Sequence, residues 1–357
     1  MLKESRQKAD IGVPDLLRHL DQVSFETTKA LKLESAVAAY FKPYDFHELK
    51  TLKKQASSSS NHIFKVACLF SGGPAAGGHN VIAGLYAGLS EVCPSSQLYG
   101  IENGWDGFVE GRLNLLTADH IAEVKNLGGF YLLGTSRKKM KTETDFELAA
   151  AQVKKFGINA IVVIGGDDSN TNALLLSSYF LKNGIDCLVN GIPKTIDGDL
   201  KQDFLEISFG FDTAAKVYSE IIGNIQDDAR SACKYYHFIK IMGRSASHLT
   251  LECALSTQPN FTFISEEIQN SGRKFEEWID DLAEMIVKRS HKKLNHGVVL
   301  IPEGLLEFIP EFNQLVAELG ELKTLEEVEI QGRLSKVSLD FYLSLPDSVR
   351  KQLFLER

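Results

Sequence analysis

The chain has little cysteine. Its five cysteines (Cys68, Cys93, Cys187, Cys233 and Cys253) are odd in number and dispersed, and none forms a C-x-x-C pair. That excludes a disulfide framework and reads as reduced cytosolic thiols. Long apolar runs are missing too. Nothing approaches the ~18 residues of a membrane span, and the opening Met1-Leu2-Lys3-Glu4-Ser5-Arg6 lacks the apolar core of a signal peptide. We therefore expect a cytoplasmic protein with no membrane partner. Basic residues are in deficit: 39 Lys and Arg stand against 47 Asp and Glu, for a net charge of −8. This argues against a nucleic-acid partner, but not against a phosphorylated ligand held in a locally positive cleft. The nine histidines show no metal-ligand spacing. No Ser–His–acid set, internal repeat, Walker loop or G-x-G-x-x-G fingerprint stands out.

What is present is ordinary for a soluble globular chain: 44% hydrophobic and 24% charged residues. A length of 357 residues suggests two domains, taking ~150 residues for each. Residues 1–61 are charge-rich, fit helical spacing, and end near Ser57-Ser58-Ser59-Ser60, which reads as a flexible joint. We expect an N-terminal helical extension there. From Ile63 the texture becomes α/β. Strands are expected at Ile63–Phe70, Gly129–Leu133, Ala160–Ile164, Cys187–Ile192, Tyr236–Met242 and Val298–Ile301. Helices are expected near Asn80–Leu89, Asp145–Phe156, Asp212–Gln226, Ser247–Leu255 and Phe275–Ile286, with a charged helical remainder after Gly304. This alternation predicts parallel sheets with right-handed crossovers.

Acidic segments follow two of these strands. Ala160–Ile164 runs into Gly165-Gly166-Asp167-Asp168-Ser169, and Cys187–Ile192 runs into Pro193-Lys194-Thr195-Ile196-Asp197-Gly198-Asp199. Ligands bind at the carboxyl ends of strands in open α/β sheets. Asp167 can hold Mg²⁺ directly or through water; a helix N-cap would account for one of the two acids, but not for the glycines as well. A carboxylate in the second segment can accept a proton from an attacking hydroxyl, and Lys194 can neutralise charge on phosphoryl oxygens. The turn Ser71-Gly72-Gly73-Pro74-Ala75-Ala76-Gly77-Gly78 can aim backbone N–H groups at a phosphate; a turn that simply needs positive φ would look the same. In the basic run Arg137–Lys141, Lys139 and Lys141 read as a solvated face and Arg137 as a phosphate ligand. Arg244, after Met242-Gly243, repeats that strand-end logic. Either arginine can equally form a structural ion pair. His79, His237 and His248 read as structural.

The ordered segments SGGPAAGGHN, GTSR, GGDDSNTNA, PKTIDGD, FGFDTA and YYHFIKIMGRSASHLTLECAL resemble phosphofructokinases over about Phe64–Glu303, and more narrowly the long pyrophosphate-dependent type. The resemblance implies two Rossmann-like parallel-sheet lobes, a donor and catalytic lobe at 62–230 and a sugar-phosphate lobe at 231–357. It implies transfer from pyrophosphate to fructose 6-phosphate, with Mg²⁺, in a cytosolic homo- or hetero-oligomer. Asp197 matches the general base on the sugar 1-hydroxyl, and Asp199 serves the same centre. Thr195 and Arg137 match phosphate and transition-state contacts, and Asp167 the Mg²⁺-linked acid. Gly72 and Gly73 match the donor loop. Met242, Gly243 and Arg244 match the sugar-phosphate site, and Glu266 the acid on the sugar hydroxyls.

The donor rests on Asp168 and Lys194, where ATP-using members of the family usually have glycine. A carboxylate 4 Å from the α-phosphate of ATP would repel it by ~4 kcal/mol at an effective dielectric near 20, about a thousandfold. Lys194 adds a charge suited to pyrophosphate. Ala76 departs from the family's usual proline. The family also continues past Arg357 with further α/β segments, so the resemblance implies a C-terminally truncated member with an incomplete second lobe. The alternatives are an ATP-dependent 6-phosphofructokinase and a catalytically inactive, truncated or regulatory subunit.

Overall fold

The structure, a computed structural model, describes residues 2–9, 12–30, 48–57, 62–200, 205–322, 329 and 331–356. The chain divides into two compact units, Met1–Lys194 and Thr195–Arg357. The division expected at 230/231 would cut a helix, Phe211–Ala232, whose apolar face packs on strands of the second unit. Phe211, Ala215 and Ile222 are buried against strands of the second unit, which places the helix in that unit, so the boundary falls earlier.

The first unit opens with helix α1 (Leu2–Lys8), two 3-10 turns, and an antiparallel pair of strands, β1 (Val23–Ala30) and β2 (Glu48–Lys54). The pair corrects the helical extension expected over 1–61. Val23, Phe25 and Thr27 alternate with polar residues at the period of a strand, and β-branched residues favour the ladder. Phe25 stands opposite Leu52, and Glu26 pairs with Lys53 at 3.7 Å. Residues 31–47 and most of the serine run, 58–60, lie outside the described residues.

The α/β part of this unit follows as β3 (Lys65–Ser71), α2 (Gly78–Val92), β4 (Gln97–Ile101), α3 (Gly104–Glu110), β5 (Leu113–Leu115), α4 (Ala118–Val124), α5 (Glu143–Phe156), β6 (Ala160–Gly165), α6 (Asp167–Lys182) and β7 (Leu188–Thr195). The strands lie in the order β5-β4-β3-β6-β7, and all neighbours are parallel except β4 and β5. Central β3 and β6 are buried almost end to end, which is why both read as unbroken apolar runs. Leu69, Ile161 and Val163 pack with Trp105, Phe108, Val153, Leu176 and Phe180, each such side chain contributing ~1.5–3 kcal/mol on full burial.

Gly129–Leu133, expected as a strand, is a turn. Gly128 and Gly129 have φ of +67° and +77°, and the Gly134 N–H donates to the Phe130 carbonyl at 2.9 Å. Left-handed φ is incompatible with a strand. The turn drives Phe130 onto Phe70, with ring centroids 4.0 Å apart.

The second unit contains β8 (Phe209–Gly210), α7 (Phe211–Ala232), β9 (Tyr235–Ile241), α8 (His248–Thr257), β10 (Phe261–Thr262), α9 (Ser265–Asn270), α10 (Phe275–His291), β11 (His296–Pro302), α11 (Pro310–Glu321), α12 (Lys336–Ser344) and α13 (Asp347–Glu356). Three strands form a parallel sheet in the order β10-β11-β9. β11 is central, and its side chains alternate between two cores. Val298 and Leu300 pack with Phe211, Ile222 and Leu249, while Val299 packs with Phe263, Ile268, Leu282 and Ile309. All five cysteines are free, and burial pushes the Cys68 and Cys187 thiols up to about 12. Among the described residues no helix is long and apolar enough to cross a membrane.

Candidate active site

Strand register assembles one edge of the first unit. Ser71 at the end of β3 pairs with Gly165 at the end of β6, and Gly165 pairs with Pro193 on β7. Ser136 makes a parallel bridge to Ser71. The residues that come next in each segment therefore share that edge: Gly72 and Gly73, then Gly166, Asp167 and Asp168, then Lys194, and Arg137. From β3 the chain passes through α2 to β4 on one side; from β6 it passes through α6 to β7 on the other. Such a reversal opens a crevice at the carboxyl ends of the strands.

Short contacts fix this edge. Gly72 has φ +86°; its N–H donates to the Ser136 carbonyl at 2.9 Å, and its carbonyl accepts from Thr135 Oγ1 at 2.7 Å. A Cβ on Gly72 would lie 3.8 Å from Lys194 Nζ, so the buried lysine brings its ammonium to the glycine turn. A Cβ on Gly165 would lie 2.4 Å from Ser169 Cβ and 2.8 Å from the Ser71 carbonyl oxygen. Glycine is what allows α6 to start this close to β3. Ser169 Oγ donates to Ser71 Oγ at 2.8 Å, and Asn170 Nδ2 donates to the carbonyls of Gly165 and Gly166, both at 2.8 Å.

Asp167 and Asp168 occupy the exposed first turn of α6, where negative charge complements the helix dipole. Asp168 also pairs with Lys139 at 2.6 Å. Both side chains are exposed, so Lys139 keeps the solvated setting expected of it and gains a surface partner. One turn further along α6, the buried Asn172 accepts from the Met140 N–H at 2.6 Å. The 137–141 run is thus fastened to α6 at two points, and Arg137 remains exposed beside the glycine turn. His79 is buried, accepts from the Leu132 N–H at 3.2 Å, and packs edge-on to Tyr131. Burial lowers its pKa, as suits a structural histidine.

In the second unit, Ser208 Oγ both accepts from the Thr195 N–H at 3.2 Å and donates to the Thr195 carbonyl at 2.6 Å. Thr195 Oγ1 accepts from the Asp197 N–H at 3.0 Å. Gly198 is left-handed at φ +73°, and its carbonyl accepts from His248 Nδ1 at 2.8 Å. The Tyr218 phenol is pushed up by burial and by the negative charges of Asp197 and Glu303. Met242, Gly243 and Arg244 follow β9. Gly243 has φ +126°, and a Cβ there would lie 2.7 Å from the Ala246 carbonyl oxygen. Arg244 Nε donates to Glu307 Oε1 at 2.7 Å, the ion-pair option left open above. Glu266 Oε1 accepts from the Ser247 N–H at 2.9 Å. Burial opposes charge on Glu266, but the bonds from Ser247 outweigh it and hold the carboxyl below its ordinary value. One carboxylate oxygen of Glu266 and one of Asp199 are buried without a hydrogen-bond partner, which leaves acceptor capacity for a polyhydroxyl ligand.

Residues 65–335 match the family model described as Phosphofructokinase. The chain belongs to the phosphofructokinase family. It is 46% identical over 310 residues to the pyrophosphate–fructose 6-phosphate 1-phosphotransferase of Entamoeba histolytica, a match covering 83% of this chain and 57% of that protein. It is 45% identical over 303 residues to the beta 2 subunit of the same enzyme in Arabidopsis thaliana, covering 84% of this chain and 53% of that one. The chain thus spans about half the length of the curated relatives it matches. The solved phosphofructokinase of Saccharomyces cerevisiae shares the fold, with a TM-score of 0.58 and 19% identity over 69% of this chain and 32% of that one.

Several residues that hold these loops carry no signal in the sequence. Ser208, Asn170 and Asn172 are assigned no role by the sequence, Tyr218 reads as one apolar position of an amphipathic helix, and His248 as structural. Asn170 and Asn172 sit inside a segment already singled out, GGDDSNTNA, and His248 inside YYHFIKIMGRSASHLTLECAL, but none of the three carries a functional role there.

Proposed function

We propose that the chain transfers a phosphoryl group from pyrophosphate to the 1-hydroxyl of fructose 6-phosphate, giving fructose 1,6-bisphosphate and phosphate. The step is reversible and belongs to glycolysis. The observation that carries this reading is the filling of the glycine turn: Lys194 Nζ reaches Gly72, and Asp168 stands on the same edge. A nucleoside and its α-phosphate need that space, and a carboxylate repels them, whereas a bare diphosphate meets the ammonium. The names of the Entamoeba and Arabidopsis relatives support the same donor.

In this reading Gly72, Gly73 and Lys194 hold pyrophosphate, with Asp168 excluding larger donors. Arg137, Lys194 and Thr195 offset charge that develops on the transferring group. Asp197 takes the proton of the 1-hydroxyl, and Asp199 stands next to it. Met242, Gly243 and Arg244 hold the sugar phosphate once Arg244 leaves Glu307, and Glu266 accepts from sugar hydroxyls. Mg²⁺ suits the donor edge, because it binds through one or two carboxylates plus substrate phosphates rather than an all-protein cage. Asp167 is an exposed carboxylate on that edge, and no cluster of three or more metal-ligating residues occurs among the described residues. When bound, Mg²⁺ supplies positive charge to the phosphoryl oxygens. The beta-subunit name of the Arabidopsis relative supports a homo- or hetero-oligomer, and the dispersed free thiols support a cytoplasmic setting.

The test is fructose 1,6-bisphosphate formation with Mg²⁺, pyrophosphate against ATP. We expect turnover with pyrophosphate and little with ATP. Replacing Asp168 and Lys194 together by glycine should weaken pyrophosphate use and raise ATP use by at least ~10-fold. A folded double variant with no gain of ATP use removes the donor argument. No turnover with either donor from the folded wild-type chain removes the reaction.

A further inference from the structure

Three hydrogen-bonded tethers among the described residues act on the Thr195–Asp199 loop. Two are local: Ser208 on the backbone of Thr195, and Thr195 Oγ1 on the Asp197 N–H. The third comes from a different part of the chain. His248, the first residue of α8, donates from Nδ1 to the carbonyl of Gly198, the residue between the two aspartates. A carbonyl can only accept, so Nδ1 carries the proton. Gly198 is left-handed and closely packed: a Cβ there would lie 2.9 Å from the Phe211 ring and 3.3 Å from His248 Cβ. The loop is therefore pressed between α7 and the start of α8, and its carbonyl has one oriented donor.

The residue before His248 continues the connection. The Ser247 N–H donates to Glu266 Oε1 at 2.9 Å, and Ser247 Oγ accepts from the Ser265 N–H at 2.9 Å. Adjacent residues thus hold Gly198 on one side and Glu266 on the other. Asp197 is the base and Glu266 the acceptor of sugar hydroxyls in the function proposed above, and their spacing depends on this bridge.

We propose that His248 is a positioning residue: by holding the Gly198 carbonyl it sets the aim of Asp197 and Asp199 relative to Glu266. This rests on the phosphoryl-transfer reading. His248 takes no proton from substrate; it acts through the loop. Misplacing a reacting group by about 1 Å can cost ~10²-fold in rate, so one hydrogen bond on this loop carries a catalytic effect larger than its own stability.

The experiment compares His248→Ala, His248→Asn and His248→Gln in the full chain. The amide nitrogen of asparagine stands where Nδ1 stands, whereas that of glutamine matches Nε2. We expect His248→Ala and His248→Gln to lower kcat by ~10- to 100-fold with little change in KM for pyrophosphate. His248→Asn keeps the donor and should stay within ~3-fold of wild type, less than the loss of a full hydrogen bond. Hydrogen exchange of the peptide spanning 195–200, read by mass spectrometry, should quicken in the Ala and Gln variants and not in Asn. A merely structural histidine would not separate Asn from Gln. Equal behaviour of those two, or unchanged kcat and exchange in His248→Ala, overturns the proposal. If the wild-type chain turns over no substrate, the functional reading fails, while the exchange pattern still decides whether His248 holds the loop.

Discussion

The donor edge of the first unit and the acceptor loops of the second are built by different means. On the donor edge, backbone pairing does most of the positioning, and side chains such as Ser169 and Asn170 only fasten it. Ser71, Gly165 and Pro193 stand in register on buried parallel strands, and Gly72, Asp167 and Lys194 follow from that register by chain continuity. The acceptor loops are joined by side chains: Ser208 to Thr195, His248 to Gly198, Ser247 to Glu266 through its own N–H, and Arg244 to Glu307. A ladder distributes load over many bonds. A loop tied by single bonds, each worth ~0.5–1.5 kcal/mol net, can be adjusted or lost one bond at a time. The edge of the first unit is therefore most sensitive to an intruding Cβ, with Ser169, Asn170 and Asn172 adding single bonds to a ladder that holds without any one of them, and the second is sensitive to the loss of individual polar groups.

The sharpest separation of the two halves comes from Asp197→Asn. It removes the proposed base and leaves a side chain of the same shape, so kcat should fall by about 10³-fold, within the range for a lost general base. Binding of pyrophosphate, which the proposed function assigns to the donor edge, should stay within ~2-fold, because no like charge is added there. Steady-state kinetics and calorimetric titration of pyrophosphate with Mg²⁺ test both statements. A parallel loss of pyrophosphate affinity would mean that the two halves are not separable in function.

Gly165→Ala probes the donor edge in the opposite way, by intrusion. The new methyl would meet Ser169 Cβ at 2.4 Å and the Ser71 carbonyl at 2.8 Å. Both belong to the framework that starts α6, so relief requires moving the helix. Overpacking of this kind costs ~1–3 kcal/mol, seen as a lower denaturant midpoint at unchanged slope. A midpoint equal to wild type would show that the edge is softer than its register implies.

This contrast also explains what was legible in the sequence. Strands β3 and β6 announce themselves as apolar runs because both faces are buried, and the glycines and acids that follow are adjacent in the chain, so the donor edge could be read directly. Gly129–Leu133 misled because an apolar run between glycines suits a strand or a tight turn equally; Phe130 packing on Phe70 decided for the turn. The β1–β2 pair was missed because its residues are charged and largely exposed, which weakens an alternation that was present. Lys139 is solvated as its sequence setting implies, but its surface partner Asp168 lies 29 positions away and could not be read from spacing. The His248–Gly198 bond spans 50 positions and has no periodic or compositional trace. What single side-chain bonds hold together cannot be found from spacing.

The smallest expected effect tests the comparison where the two units look alike. Asp145 completes the capping box of α5 with Thr142 and pairs with Lys138 at 3.3 Å. Burial alone would raise its pKa, but bonds from Thr142, Lys141 and Lys138 outweigh that and bring it down to about 2. Glu318 on α11 has the same balance: burial raises, and Ser335, Gln314 and Ser338 bring it down to about 2. An unfolded chain would titrate both near ~4. A carboxyl depressed by folding contributes stability above that value and loses it as pH falls toward the folded one. Both contributions should therefore be present at neutral pH and disappear between about pH 4 and 2. Screening by solvent keeps each below ~1 kcal/mol. Unfolding free energies measured across that window should fall less steeply in Asp145→Asn and in Glu318→Gln than in wild type, by similar amounts. A flattening confined to one variant would show that one unit unfolds before acid reaches the other's cap.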